Sequence, residues 1–269
     1  MSETIYSNYG HLHAAFAETE YGQHLSQQTR WERYKPAGVS PQRWRELLGV
    51  DVNNLGHLQL SGNLTRVFIG EMDKSRPGYF NLEDKIVLEV AAYTHDWPES
   101  IVGDTNYHLK STIHDDEEKA VFIQNLKAFY PDCSPEMEII INRAVEEVIY
   151  AHDGEGLARA FNVIERVGYV RTALRATDKV VHGTASDCES SMRQLVGDAF
   201  SVHISALMGL TDEFPPVEQY LRNQHELISA GFGLVDEEAF ANLHSDGVRA
   251  KFQNALLAWT AWSGSNSHQ

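Results

Sequence analysis

Apolar residues recur along this chain at intervals of three and four, the spacing that lines one face of an α-helix. Leu60, Leu64, Val67 and Phe68 carry the pattern from His57 to Met72, and Leu82, Ile86, Val87, Val90 and Ala91 carry it from Leu82 to Thr94. A third run spans Ser134 to Ile149 through Ile139, Ile140, Ala144 and Val148. The longest, from about Glu155 to Val181, threads Ile164, Val167, Val170 and Leu174 and puts Asp178 on the same stripe, an unusual place for an aspartate. Punctuation agrees with this reading. Ser40-Pro41 supplies an N-cap and a first-turn proline for a short helix that Gly49 ends. Asn53 to Gly56 forms a turn, Ser75 to Gly78 is a break, and Pro98 starts a further short helix. Asp115 to Glu118 opens a helix with acidic residues at the positive end of its dipole, running to Phe129 before Pro131. Residues 104–116 read as a polar loop, residues 11–35 as a helix and its exit, and residues 186–206, 217–230 and 236–262 as three more helices. With almost no period-two alternation and no internal repeat, the expectation is an all-α fold in one domain.

Composition narrows the function classes. The 269 residues suffice for a substantial core. A net charge of -16, from 22 Lys and Arg against 38 Asp and Glu, argues against a long nucleic acid or an anionic membrane surface as partner. No apolar run reaches membrane-spanning length and no export signal opens the sequence. Cys133 and Cys188 sit in no metal-binding spacing and read as reduced thiols, so a cytoplasmic location is expected.

The chemistry concentrates between Ala92 and Asp104. His95 and Asp96 follow the apolar helix that ends at Thr94, which delivers an imidazole and a carboxylate together into the interior. Burying that pair without a partner is costly, and a divalent cation suits both groups. Taken alone, a His-Asp dipeptide is more often solvated or locally hydrogen-bonded than metal-bound. Its setting decides the matter: Glu99 follows one helical turn beyond His95, in reach for proton transfer if the helix continues.

The run His95-Asp96-Trp97-Pro98-Glu99-Ser100-Ile101-Val102-Gly103-Asp104, with Lys110, Glu117-Glu118-Lys119 and the later Asp178-Lys179, resembles the HD-domain metal-dependent phosphohydrolases, most closely their 5'-deoxynucleotidase-like branch. The resemblance covers roughly residues 55–190. It implies a compact HD-domain helical bundle there; outside it the residue pattern itself gives an N-terminal helical extension over 1–54, C-terminal helices over 191–262 packed on the core, and a disordered tail over 263–269. It also implies a manganese, cobalt, zinc, iron or magnesium ion held by His95, Asp96 and Asp178, and hydrolysis of a nucleoside 5'-monophosphate. In that frame Glu99 transfers the proton, Lys110 offsets phosphate charge and Asp104 accepts a bond from a sugar hydroxyl.

One departure stands out. The family's first ligand is a His in a His-x-x-Arg-Val context, and the local match here is Asn63-Leu64-Thr65-Arg66-Val67. An amide oxygen is a weaker donor than imidazole, so Asn63 implies lower affinity or a harder ion. The alternative is His57, 38 residues before His95 and following Arg43-Trp44 at about the distance of the Arg-Trp pair that bacterial relatives use for substrate. Arg43 and Trp44 are thus candidate substrate contacts, against the commoner reading as surface and packing residues. His114 and His152 are candidates for a second metal, as in binuclear members of the superfamily, though His114 also reads as a helix cap. A catalytically weakened, nucleotide-binding domain is the other alternative. Trp259 and Trp262 on the last helix offer a surface for a homodimer.

Overall fold

The structure, a computed structural model, describes residues 9–49, 52–103, 112–151, 156–236, 238, 240 and 244–266. It bears out the all-α expectation: among the described residues there is no β-strand, only an isolated bridge between Thr29 and Asn53. The helices are α1 (Gly10–Ala17), α2 (Glu20–Gln27), α3 (Pro41–Leu48), α4 (Asn54–Ser75), α5 (Leu82–Thr94), α6 (Glu99–Val102), α7 (Thr112–Phe129), α8 (Pro135–Ala144), α9 (Gly156–Val181), α10 (Glu189–Met208), α11 (Pro215–Asn223), α12 (His225–Leu234) and α13 (Asp246–Asn266). A π-helical turn, Val145–Ile149, continues α8. No helix of the described residues is long and apolar enough to cross a membrane.

The chain forms two compact units, one of residues 1–30 and 53–164, the other of residues 31–52 and 165–269. These are not the linear blocks 1–54, 55–190 and 191–262 read from the sequence. Two further corrections concern the C-terminal part. The expected disordered tail is in part helix, because α13 continues to Asn266. Trp259, read as a partner surface, is buried in the second unit, where its Nε1 donates to Ser229 Oγ at 3.0 Å and Trp262 stacks on it.

In the first unit, α5 is capped as its sequence dictates. Asn81 Oδ1 accepts from Asp84 N and Asp84 Oδ2 accepts from Asn81 N, each at 3.0 Å, so two donors at the helix start are satisfied reciprocally. Its far half, Val87 to Thr94, is buried without interruption. Such a helix must be covered on all sides, and α1, α4, α8 and the π turn do so. The approach of α4 is set by Gly62, where a Cβ would fall 2.2 Å from the Tyr93 ring. Glu89, fully buried within α5, accepts from Arg66 Nε of α4 at 2.7 Å and from Tyr9 N at 3.1 Å. Beyond α5 the chain is anchored by Trp97. Its ring stacks between Phe16 and Phe122, with centroids 4.8 and 5.9 Å away, and Phe129 meets it edge-on. Removing an aromatic of this kind costs about 3–5 kcal/mol.

The second unit has its own buried polar centre. Asp198 of α10 accepts from Tyr34 Oη at 2.5 Å, and its other oxygen lies 3.0 Å from His244 Nε2. Burial and the neighbouring carboxylate push the Tyr34 phenol far above its ordinary pKa. The α10 helix packs mainly against α13.

Candidate metal centre

Because α5 ends at Thr94 and α6 begins at Glu99, the four residues between them form a tight corner. His95 N still donates to Ala91 O at 3.0 Å, Trp97 N to Thr94 O at 3.0 Å and Glu99 N to Asp96 O at 3.0 Å. With Trp97 locked in the aromatic stack, His95 and Asp96 are held on the corner. Opposite them stands His57, in the first turns of α4, whose N-terminus is fixed by Asn53 Oδ1 accepting from Gly56 N at 2.7 Å.

His57, His95 and Asp96 form a group that could hold a metal ion, each offering one ligand atom within 4.8 Å of the others. His57 Nε2 and His95 Nε2 are 3.3 Å apart. Asp96 Oδ1 is 3.2 Å from His95 Nε2, and Oδ2 is 3.9 Å from His57 Nε2. The donor chemistry fits a transition metal: two imidazole nitrogens and one carboxylate, with His57 only 4% exposed. The ring orientation fits too. His95 Nδ1 is 3.2 Å from the Ala92 carbonyl, which can only accept, so that nitrogen carries the proton and Nε2 keeps a lone pair facing the group. The Phe161 ring meets the His95 ring at 5.3 Å and closes one side.

Glu99 is 5% exposed, and its Oε2 accepts from Asn54 Nδ2 at 2.7 Å. Gln28 Nε2 donates to the Glu99 carbonyl at 2.9 Å, and Gln28 Oε1 accepts from Asn54 Nδ2 at 3.2 Å. The Glu99 carboxylate is therefore oriented by Asn54 of α4, which Gln28, the residue after α2, holds in turn.

The remaining candidates are scattered. Asn63, favoured over His57 by its local sequence match, is exposed on α4, so the imidazole of His57 and not the Asn63 amide completes the group. The fourth candidate ligand is Asp178. It lies in the second unit, half exposed at 44%, with its carboxylate 3.1 Å from His182 Nδ1. The inward stripe of α9 passes instead through Ala173, Ala176 and Thr177, all fully buried. Trp44 is fully buried in the second unit, while Arg43 donates to both carboxylate oxygens of Asp187 and to the Thr184 carbonyl. Arg43 holds the Asp187 carboxyl below the usual carboxylate range. His114 is half-buried inside the first turn of α7, which starts at Thr112, so it is a helical residue and not a cap. Asp104, Lys110 and His152 lie outside the described residues.

Two further residues of the first unit, neither given a role from the sequence, are buried. Tyr150, at the end of the π turn, is 7% exposed, and its hydroxyl feels the negative charge of Glu118, Asp96, Glu99 and Asp115. Burial, then those charges in that order, push its pKa far above the ordinary phenol value, so it stays a neutral hydroxyl. Glu118 of α7 is 5% exposed. A signal for Glu118 existed: with Phe122, Leu126 and Phe129 it occupies one stripe of α7, and all four are buried. Nothing comparable marked Tyr150, whose position depends on the π turn before it. Comparison of the chain with protein-family models, with curated proteins and with solved structures gave no match.

Proposed function

We propose that the chain is a metal-dependent phosphohydrolase acting on a phosphate monoester, with a nucleoside 5'-monophosphate as substrate. The observation that carries this reading is the convergence of His57 with the adjacent pair His95 and Asp96, beside a buried, amide-held Glu99. The resemblance of residues 95–104 to the HD phosphohydrolases supplies the reaction type. A divalent metal such as manganese, cobalt, zinc, iron or magnesium, held by Nε2 of both histidines and the Asp96 carboxylate, supplies Lewis acidity toward a phosphoryl oxygen and makes water more acidic.

The chain's own groups do the rest. His57 and His95 arrive from different helices with their Nε2 atoms facing each other, so the group needs little rearrangement to bind. Glu99 takes a proton from the attacking water and returns it to the sugar oxygen as the ester P–O bond breaks. Asn54 steadies that carboxylate without neutralising it. Lys110 meets phosphate charge and Asp104 a sugar hydroxyl, roles that rest on the resemblance alone. With an imidazole in place of the expected amide, the motive for a catalytically weakened domain falls away.

The test is phosphate release from a panel of ribo- and deoxyribonucleoside 5'-monophosphates, with manganese, cobalt or zinc added to metal-stripped protein. Turnover should require metal, vanish in His95→Gln, and fall about 10²–10⁴-fold in kcat in Glu99→Gln with KM little changed. Full turnover by Glu99→Gln, or turnover equally fast in chelator, defeats the proposal.

A further inference from the structure

Asn54 is 1% exposed in the first turn of α4, yet the cap of that helix is Asn53, whose Oδ1 accepts from Gly56 N. The Asn54 side chain is therefore not needed for the task that usually places an asparagine at a helix start. A buried amide is costly unless it is bonded, and an apolar residue would pack there without that penalty. The bonds it makes lead to Glu99. Asn54 Nδ2 donates to Glu99 Oε2 at 2.7 Å and to Gln28 Oε1 at 3.2 Å, while Gln28 Nε2 donates to the Glu99 carbonyl at 2.9 Å.

Each amide fixes the direction of the other. Turned over, Asn54 would set its oxygen against a carboxylate oxygen and against Gln28 Oε1, and Gln28 turned over would set its oxygen against the Glu99 carbonyl. The main chain holds the same place, since Asn54 N donates to Gln28 O at 3.4 Å beside the bridge of Thr29 with Asn53. Glu99 is thus held at two points, one on its carboxylate and one on its backbone. His57 follows Asn54 by three residues, the spacing that puts two side chains on one face of a helix. One turn of α4 therefore carries both a candidate metal ligand and the amide that holds the candidate proton carrier.

We propose, on the phosphohydrolase reading, that Gln28 and Asn54 are positioning residues, which act through Glu99 by fixing where its carboxylate sits relative to the ion that His57 helps to hold. Neither touches substrate or metal, so their loss should slow turnover without loosening either ligand. Misplacing a reacting group by about 1 Å costs on the order of 10²-fold in rate.

The experiment compares phosphate release and manganese binding in the full chain, with folding followed by circular dichroism. Asn54→Ala should lower kcat about 10–100-fold while KM and the manganese Kd change less than about 2-fold. Gln28→Ala, at a half-buried position, should show the same split with a smaller loss, and it decides the matter if Asn54→Ala does not fold. In a chain that already carries Glu99→Gln, either substitution should change kcat by less than about 2-fold, because the carboxylate they position is gone. Losses that multiply in the double variant overturn the proposal, as does an unchanged kcat. A manganese Kd that rises along with the fall in kcat also overturns it, because it would mark Asn54 as a structural support of α4. A wild type without turnover defeats the phosphohydrolase reading and this inference together, whereas an active wild type with multiplying losses defeats this inference alone.

Discussion

His57 and Asn63 are six residues apart on one helix, and their different fates follow from that number. Six residues turn an α-helix through about 240° beyond a full circle, so the two side chains cannot serve one site. The match around Asn63 rested on Arg66-Val67, and the apolar spacing took Leu64 and Val67 as inward positions, yet Val67 is exposed. The buried stripe of α4 runs through His57, Ser61, Thr65, Phe68 and Met72, half of it polar or small and therefore quiet in an apolar pattern. His95, Asp96 and Glu99 were legible because they follow an unbroken apolar helix. Asp178 shares spacing with Leu174, while the fully buried positions of α9 include Ala173, Ala176 and Thr177. In a competition titration with a chromophoric chelator, His57→Gln should weaken metal binding more than about 100-fold, beyond the usual effect of losing an outer partner, and Asn63→Ala should leave it unchanged. Equal effects would return the ligand role to Asn63.

Helices were easier to read than side-chain directions because caps and breakers are local. The start of α3 at Pro41, after a Ser40 cap that accepts from Arg43 N, and the end of α5 at Thr94 fall where the sequence put them. The run 217–230 instead divides into α11 and α12 at Gln224, a junction with no proline or glycine to mark it. The packing of α4 on α5 also escaped pattern reading, because it depends on a residue that adds nothing to a pattern. At Gly62 even one methyl group would enter the Tyr93 ring, a rigid obstacle that is itself buried. Gly62→Ala should therefore destabilise the chain by about 1–3 kcal/mol in urea unfolding, despite the better helix propensity of alanine. Because α4 carries His57 and α5 leads to His95, metal affinity should fall with it. A neutral or stabilising result would show that the two helices can separate freely.

At the scale of the whole chain, the acidic balance is the background against which the centre works. A protein with a net charge of -16 gains from taking up cations, and the His57–His95–Asp96 group could hold one. Two compact units were not legible, since each combines segments far apart in sequence. Metal bound by the folded chain alone must raise its stability: at about 100 times its Kd an ion contributes about 2.7 kcal/mol, a rise of roughly 5–10 °C in Tm for a chain of this size. Thermal scans with and without chelator should show that difference in wild type and lose most of it in His57→Gln. Coincident wild-type curves would deny the chain an ordered metal centre.

The π turn at Val145–Ile149 has a further consequence, for how this chain could change. Tyr150 N bonds Val145 O five residues back, where a regular helix reaches back four, so the turn holds one residue more than its neighbours. Loss of a single codon there would restore an ordinary helix and swing every following side chain by about 100°. Another residue would then stand where the Tyr150 hydroxyl does. What stands in that buried place is thus written in the length of the segment as much as in its letters.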